Sequence, residues 1–197
     1  MARIEIRVPD IGDFENIPVK YEERIAKVPK GVDHFRYPSN DPLLASKVLL
    51  FIECACEGHF AAMQNFMRHQ DGMRTQVNLV IDLVNNLLVL ERTLSPLTIQ
   101  LTSQLYQTLT ELVQGPCPGN QRFLIGTNLC DVAVRFMHGK YPDCAPEDVI
   151  ELKLLCLKLL LAMVEGVQTD VIPKRIASSL NDLKLVAELD VAFEQSG

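Results

Sequence analysis

Two glutamates stand where the sequence predicts the carboxyl-terminal ends of helices, and their carboxylates are the groups best suited to binding a ligand. Glu57 directly precedes Gly58-His59, and Glu111 lies in the last predicted turn before Gly115. The negative end of a helix dipole makes an acid unfavourable at such a position unless a cation is nearby. If the two ends converge, two carboxylates and several free carbonyl groups would favour a hard divalent cation, for which calcium is the natural candidate.

A second interpretation of the two glutamates is that each is simply a solvated residue at a helix end. Nothing in their spacing brings Glu57 and Glu111 together. Calcium also takes about six to eight oxygen ligands, so two glutamates and their neighbouring carbonyls leave the coordination incomplete. Another segment, or several water molecules, would have to complete the site.

Other kinds of site are disfavoured by the positions of the cysteines and histidines. Cys54, Cys56 and His59 have the chemistry of zinc ligands, but on a helix the two thiols point to different sides and no fourth ligand lies at zinc-finger spacing. The four histidines are far apart in sequence, and the common hydrolase, nucleotide-binding and EF-hand motifs are absent. We therefore expect a protein that is not an enzyme, with six free cysteines in a reducing compartment.

Composition predicts one sizeable globular domain. The chain has 197 residues, of which 48% are hydrophobic, and its formal charge is −6 with a pI near 5.2. Lysines and arginines are scattered along the sequence, which argues against a nucleic-acid partner. Charged residues interrupt the amino-terminal region where a signal peptide would be apolar, so we expect a cytosolic location.

The clearest predicted helix contains the second glutamate. Ser95 is a suitable N-cap, Pro96 suits the first helical position, and the pattern continues to about Gln114. One apolar stripe runs along this helix, formed by Leu97, Leu101, Leu105, Leu109 and Leu112.

The neighbouring segments also have helical periodicity. Thr75 is the predicted cap of the preceding helix, and Asn120 and Thr127 are predicted to cap a short helix and then a longer one. Pro146 begins the most apolar helix, which we expect in the centre of the domain. Lys153 and Lys158, with a run shorter than ~20 residues, exclude a membrane span.

These patterns predict an all-α fold of about eight helices, ending with helices near 169–180 and 182–194. Successive antiparallel pairs of roughly forty residues favour an armadillo or HEAT-like solenoid of helical hairpins, although an irregular closed bundle is also compatible. We assign residues 1–38 to an extended amino-terminal arm and residues 39–197 to the helical domain.

Two motifs resemble a known family. They are Cys56-Glu57-Gly58-His59 with Gln64 to Arg68 and Gln70, and Leu109-Thr110-Glu111 with Gln114 to Cys117 and Gly119-Asn120-Gln121. Their order, with a helix pair between them, resembles the RIH-associated helical region of ryanodine receptors and inositol trisphosphate receptors. The likeness extends over about 43–195.

The resemblance implies an armadillo-like regulatory region on the cytosolic face of the endoplasmic or sarcoplasmic reticulum membrane, within a homotetrameric calcium-release channel. It implies that Glu57 and Glu111 contribute to the activating calcium site. His59 and Gln114 then lie close by without binding the ion, and a carboxyl-terminal segment absent from this chain completes the site. Binding by this chain alone is expected to be weak. The alternative is a free-standing armadillo-like adaptor that binds a peptide or a helix in its groove.

Overall fold

A computed structural model describes residues 42–181, and the arm assigned to residues 1–38 and the helix expected at 182–194 lie outside this range. Within it the chain forms eight α-helices and no strand, which confirms the all-α prediction. The helices are α1 (Pro42–Cys56), α2 (Ala61–Arg68), α3 (Leu79–Arg92), α4 (Ile99–Glu111), α5 (Pro118–Ile125), α6 (Leu129–His138), α7 (Pro146–Val164) and α8 (Val171–Asn181).

The start of α4 follows the predicted cap, one turn later than expected. The carbonyl of Ser95 accepts hydrogen bonds from the backbone N–H groups of Thr98 and Ile99, both at 3.0 Å. The Ser95 N–H in turn donates to the Thr98 hydroxyl at 2.9 Å. Ser95 and Thr98 thus form one half of a capping box, and regular helix begins at Ile99.

Two other predicted caps were wrong. Helix α3 begins at Leu79, and its cap is Asn78, whose side-chain oxygen accepts the Ile81 N–H at 3.1 Å; Thr75 is exposed and precedes this cap. Asn120 lies inside α5 and is fully buried. Asparagine suits an N-cap by local chemistry, but here the Asn120 amide makes hydrogen bonds to distant parts of the chain.

The packing joins helices that lie three positions apart in the chain as well as helices that are consecutive. Helix α4 lies at the centre and makes its most extensive contacts with α7 and α1. Further contacts join α2 to α5, α3 to α6 and α5 to α8. The two largest contacts therefore join helices that are not neighbours in sequence, and the next largest joins the consecutive helices α6 and α7. The solenoid type stays a prediction.

Helix α7 is buried on one side only, so the expectation that it lies in the centre of the domain was wrong. Leu152, Cys156, Leu159 and Met163 are fully buried, whereas a second apolar face is exposed to solvent. An apolar residue at almost every position predicts burial, but it does not tell which face a neighbouring helix covers. No helix within residues 42–181 combines the length and apolarity needed to cross a membrane.

Candidate functional site

The carboxyl-terminal ends of α1 and α4 lie against each other. The loop after α1 carries His59, and a Cβ atom placed on Gly115, just after α4, would lie 2.3 Å from the Cβ of His59. Only a glycine leaves room for this contact. Gly115 also has a φ of 96°, which other residues rarely adopt. Glycine at position 115 therefore serves two purposes: it adopts the positive φ of the turn, and it leaves room for His59.

The end of α7 joins the same cluster. The Gly115 N–H donates to the Glu165 carboxylate at 3.2 Å. Gly166, with a φ of 66°, packs against Pro116, whose Cγ would be 2.5 Å from an added Cβ. Three helix ends thus meet, and each is followed by a glycine with positive φ: Gly58, Gly115 and Gly166.

The structure places all four predicted residues on the first two of these ends. Glu57 follows the last residue of α1 and is exposed, whereas Glu111 is the last residue of α4 and is half-buried. The amide of Gln114 donates to the Glu111 carboxylate. His59 has a φ of 61°, an uncommon conformation for a residue with a side chain, and packs on Gly115.

The charge of Glu111 reaches the buried space between α1 and α4. The pKa of the Cys56 thiol is raised to about 12, first because the thiol is buried, then because of the negative charge of Glu111, and then because of Cys117. Cys56 is the last residue of α1 and directly precedes Glu57. The negative charge of Glu111 therefore acts on the thiol that directly precedes Glu57.

The expectation of free carbonyl groups at the end of α4 was wrong. The side-chain amide of Gln64, on α2, donates to the carbonyl of Glu111 at 2.6 Å and to that of Gln114 at 3.0 Å. The amide of Asn120 donates to the carbonyl of Leu112 at 2.8 Å. Buried carbonyls need partners, and side chains from α2 and α5 supply them. The carbonyls of Glu111, Leu112 and Gln114 thus already accept hydrogen bonds.

The same amides connect the helix ends to one another. Asn120 also donates to the carbonyl of Gln64 at 2.9 Å and accepts from Arg68 at 2.9 Å. Gln121 donates to the carbonyls of Ala162 and Glu165, at 3.0 and 2.9 Å, and so caps the end of α7. Gln64, Asn120 and Gln121 are therefore the residues that hold the cluster together.

Sequence reasoning missed the role of these amides. All three side chains are buried, Gln121 with 1% of its surface exposed and the other two with none. The available signal was their presence in the two motifs quoted above. The oxygen of the Gln64 amide is buried and has no hydrogen-bond partner among the described residues. The Gln64 side chain is oriented by the two carbonyls that accept hydrogen bonds from its amide nitrogen.

Glu165 is exposed, and its carboxylate accepts a hydrogen bond from the Gly115 N–H. Three helix ends thus carry an acid: Glu57, Glu111 and Glu165. Within residues 42–181, no three His, Cys, Asp or Glu side chains are grouped so that they alone could hold a metal ion. A cation at this cluster would need further oxygen donors, as calcium does in general.

Comparison with known proteins identifies related sequences. A family model described as "RyR and IP3R Homology associated" matches residues 39–137, which is about half of the chain and contains both motifs. The chain is also 32% identical over 137 residues to the inositol 1,4,5-trisphosphate receptor itr-1 of Caenorhabditis elegans. That alignment covers 62% of this chain and 5% of the receptor.

Proposed function

Because this chain belongs to the RyR and IP3R Homology associated family, we propose that it is a non-enzymatic regulatory module of an intracellular calcium-release channel, and that it supplies part of an activating calcium site. The family is associated with these channels and is not an enzyme family. The cytosolic face of the endoplasmic or sarcoplasmic reticulum membrane, and a homotetrameric parent channel, are parts of the same proposal.

One observation supports the calcium site above the others: His59 packs on Gly115 and so holds the ends of α1 and α4 together. Glu57 lies two residues before His59, and Glu111 lies four residues before Gly115. Both acids are therefore on adjoining helix ends, where the helix dipoles add to the negative potential. This potential and the two carboxylates fit a hard cation with oxygen ligands.

The structure also favours a site that this chain does not complete. The carbonyls of Glu111 and Gln114 already accept hydrogen bonds from Gln64, which leaves the Glu111 carboxylate as the charged oxygen ligand at this helix end. We propose that a carboxyl-terminal segment of the parent channel supplies the missing ligands. A site shared by two segments that move relative to each other binds calcium more tightly in one arrangement, and this difference in affinity biases the gate.

Isothermal titration calorimetry on the full chain tests the proposal. We expect weak calcium binding, with a dissociation constant of about 0.1–1 mM, as in sites with few charged ligands. Glu111→Gln and Glu57→Gln should each weaken binding by about tenfold or more, because each removes a charged ligand. Glu147→Gln, at an exposed position on α7, is the matched control and should bind like the wild type. Equal heats in all four proteins would reject these two residues as the site.

A further inference from the structure

The exposed apolar face of α7 is unlike a normal solvated surface. It is formed by Ile150, Leu154, Leu157 and Leu161, which we call the α7 stripe, and these side chains are 59%, 59%, 45% and 69% exposed. They recur at spacings of four, three and four residues, so they lie along one side of the helix over about 16 Å. Single apolar side chains are common on a protein surface, but a contiguous row of four indicates an interaction site.

The α7 stripe lies on the side of the helix that faces away from the core. On a helical projection its centre is about 160° from the centre of the fully buried residues of α7. Those buried residues are Leu152, Cys156, Leu159 and Met163. A partner can therefore reach the stripe without any change in the packing of the described helices.

The spacing of the α7 stripe is the same when it is read from either end. A second copy of α7, laid antiparallel across the first about a two-fold axis, therefore meets an apolar residue at every position. Ile150 then faces Leu161 of the second copy, and Leu154 faces Leu157 of the second copy. Alternating spacings of three and four also suit the seam between two helices that pack at a small crossing angle. The stripe is thus complementary to itself, as a two-fold contact requires.

The charges on one edge of the α7 stripe match in the same arrangement. Glu151 and Lys158 lie seven residues apart on that edge, and in a two-fold antiparallel pair this edge meets the same edge of the second copy. Each Glu151 is then about 3 Å, along the helix axis, from the level of Lys158 of the second copy. The two copies of Lys158, and on the other edge the two copies of Lys153, are about 7.5 Å apart along the axis. Opposite charges are therefore closer than like charges.

A cavity of about 490 Å³ adjoins the α7 stripe at its amino-terminal end. Its lining is mainly apolar and includes Tyr141, Pro142, Cys144, Val149 and Ile150. Leu161 is the most exposed side chain of the stripe, and in the antiparallel pair it lies opposite Ile150 of the second copy, next to this cavity. The two-fold axis repeats the contact at the other end of the stripe. The most exposed of the four residues thus gains an apolar surface to pack on.

We propose that α7 is a self-association surface, through which two copies of this chain pair with their α7 helices antiparallel. Leu154 packs against Leu157 at the centre, and Glu151 pairs with Lys158 along one edge. The self-complementarity of the stripe favours a second copy over an unrelated partner, because an unrelated helix requires neither the reversible spacing nor the matching charges. The proposal does not depend on the calcium site.

The size of the α7 stripe predicts that this dimer is weak. Its four side chains in both copies together bury roughly 800 Å², which is less than the ~1,200–2,000 Å² of a stable interface. We therefore expect a dissociation constant of about 10–100 µM. Such a dimer forms at the concentrations of a solution experiment and dissociates on dilution.

Sedimentation equilibrium of the full chain, at concentrations from about 1 to 300 µM, tests the proposal. The average mass should rise from 22.1 kDa to twice this value and no further, because a two-fold contact is closed. Leu154→Glu places an acid in the apolar centre of the contact and should raise the dissociation constant by about tenfold or more. Val48→Glu, at an exposed apolar position on α1, is the matched control and should leave the dissociation constant unchanged. Circular dichroism checks that both variants fold.

Charge reversal tests the antiparallel pairing itself. Lys158→Glu and Glu151→Lys each bring like charges together at two symmetric places, so each alone should weaken the dimer by about fivefold. An equimolar mixture of these two variants should associate at least as well as the wild type, because each supplies the charge that the other needs. Lys47→Glu and Asp71→Lys, both at exposed positions outside α7, are the matched control pair and should change association neither alone nor mixed.

Three results would overturn the proposal. The first is a mass of one chain over the whole concentration range. The second is an equal loss of association in Leu154→Glu and Val48→Glu, or species larger than two chains, since both indicate a contact between different faces of the protein. The third is a mixture of the two α7 charge variants that associates no better than either variant alone.

Discussion

The side-chain amide of Gln64, on α2, donates a hydrogen bond of 2.6 Å to the main-chain carbonyl of Glu111, the last residue of α4. The same nitrogen donates to the carbonyl of Gln114 at 3.0 Å. A side chain from another helix thus caps α4, in place of the terminal residues that normally do so. The position of the Glu111 carboxylate therefore depends on a residue 47 positions earlier in the chain.

Replacing Gln64 by glutamate should destabilise the domain. An ionised carboxylate cannot donate to the two carbonyls, and burying it or protonating it costs free energy in addition to the lost hydrogen bonds. We expect the free energy of unfolding to fall by about 3 kcal/mol, measured by urea denaturation. Gln76→Glu, at an exposed position, is the matched control and should change stability little. Equal losses in the two variants would mean that the amide of Gln64 does not stabilise the end of α4.

Gly115 and Gly72 allow the contact with His59 to be separated from backbone strain. Both glycines have positive φ, 96° and 80°, but an added Cβ meets His59 only at Gly115 and has open space at Gly72. We expect Gly72→Ala to lower the free energy of unfolding by about 1 kcal/mol and Gly115→Ala by about 3 kcal/mol or more. Thermal unfolding followed by circular dichroism measures both.

The extra loss in Gly115→Ala should depend on His59. Adding His59→Gly, which removes the Cβ of residue 59, should recover more stability in Gly115→Ala than in Gly72→Ala. If Gly72→Ala and Gly115→Ala are equally stable, the close approach of the α1 and α4 ends is not important for folding.

Asp131 should make stability depend on pH at the acid end. Burial tends to raise the pKa of its carboxyl group, but hydrogen bonds from Arg175 and Ser179, and the charge of Arg175, outweigh burial and lower it. The unfolded chain therefore takes up the proton at a higher pH than the folded chain does. The stabilisation by this ionised group is present above pH ~4 and is lost as the pH falls through the lowered pKa.

Urea unfolding between pH 2 and pH 7 checks this prediction. Asp131→Asn should lower the free energy of unfolding by about 1 kcal/mol at neutral pH, and its difference from the wild type should shrink below pH ~4. Asp143→Asn, at an exposed position, is the control for a general effect of one charge. A difference that is the same at every pH would show that the ionised form of Asp131 is not what stabilises the contact between α6 and α8.

Cys54 should report the charge of Glu57. It is the exposed cysteine among the described residues, and its pKa is raised by partial burial and by the charges of Glu53 and Glu57. Because the thiolate is the reactive form, Glu57→Gln should speed the reaction of Cys54 with a disulfide reagent by about two- to threefold at pH 8. Glu147→Gln should leave the rate unchanged. An unchanged rate in Glu57→Gln would place its carboxylate too far from the thiol to affect it.

The buried thiols provide an internal reference for that experiment. Burial raises the pKa of Cys156 and of Cys56 to about 12 and that of Cys130 to about 11. We expect these three thiols to react only after unfolding, since they are both inaccessible and protonated at pH 8. Fast reaction of more than one thiol per chain would indicate that the core around α4 opens readily.

The sequence by itself was enough to predict an all-α fold for residues 42–181 and the two helix ends that carry the acids. Local chemistry determines these features: Ser95 and Pro96 start a helical turn, and Gly58 and Gly115 end helices because each adopts positive φ. The two motifs were also enough to identify the family, since short ordered motifs do not depend on knowing the packing. The calcium site itself stays a prediction.

Only the tertiary structure decided which polar groups satisfy one another and which apolar face is left exposed. Asparagine is a good N-cap residue, yet the Asn120 amide donates hydrogen bonds to the carbonyls of Leu112 and Gln64, which lie elsewhere in the chain. Helix α7 is apolar almost all round, and nothing in its own sequence tells which side meets α4. The physical reason is that hydrogen bonding and burial depend on partners distant in sequence, whereas caps, turns and periodicity depend on neighbours within one helical turn.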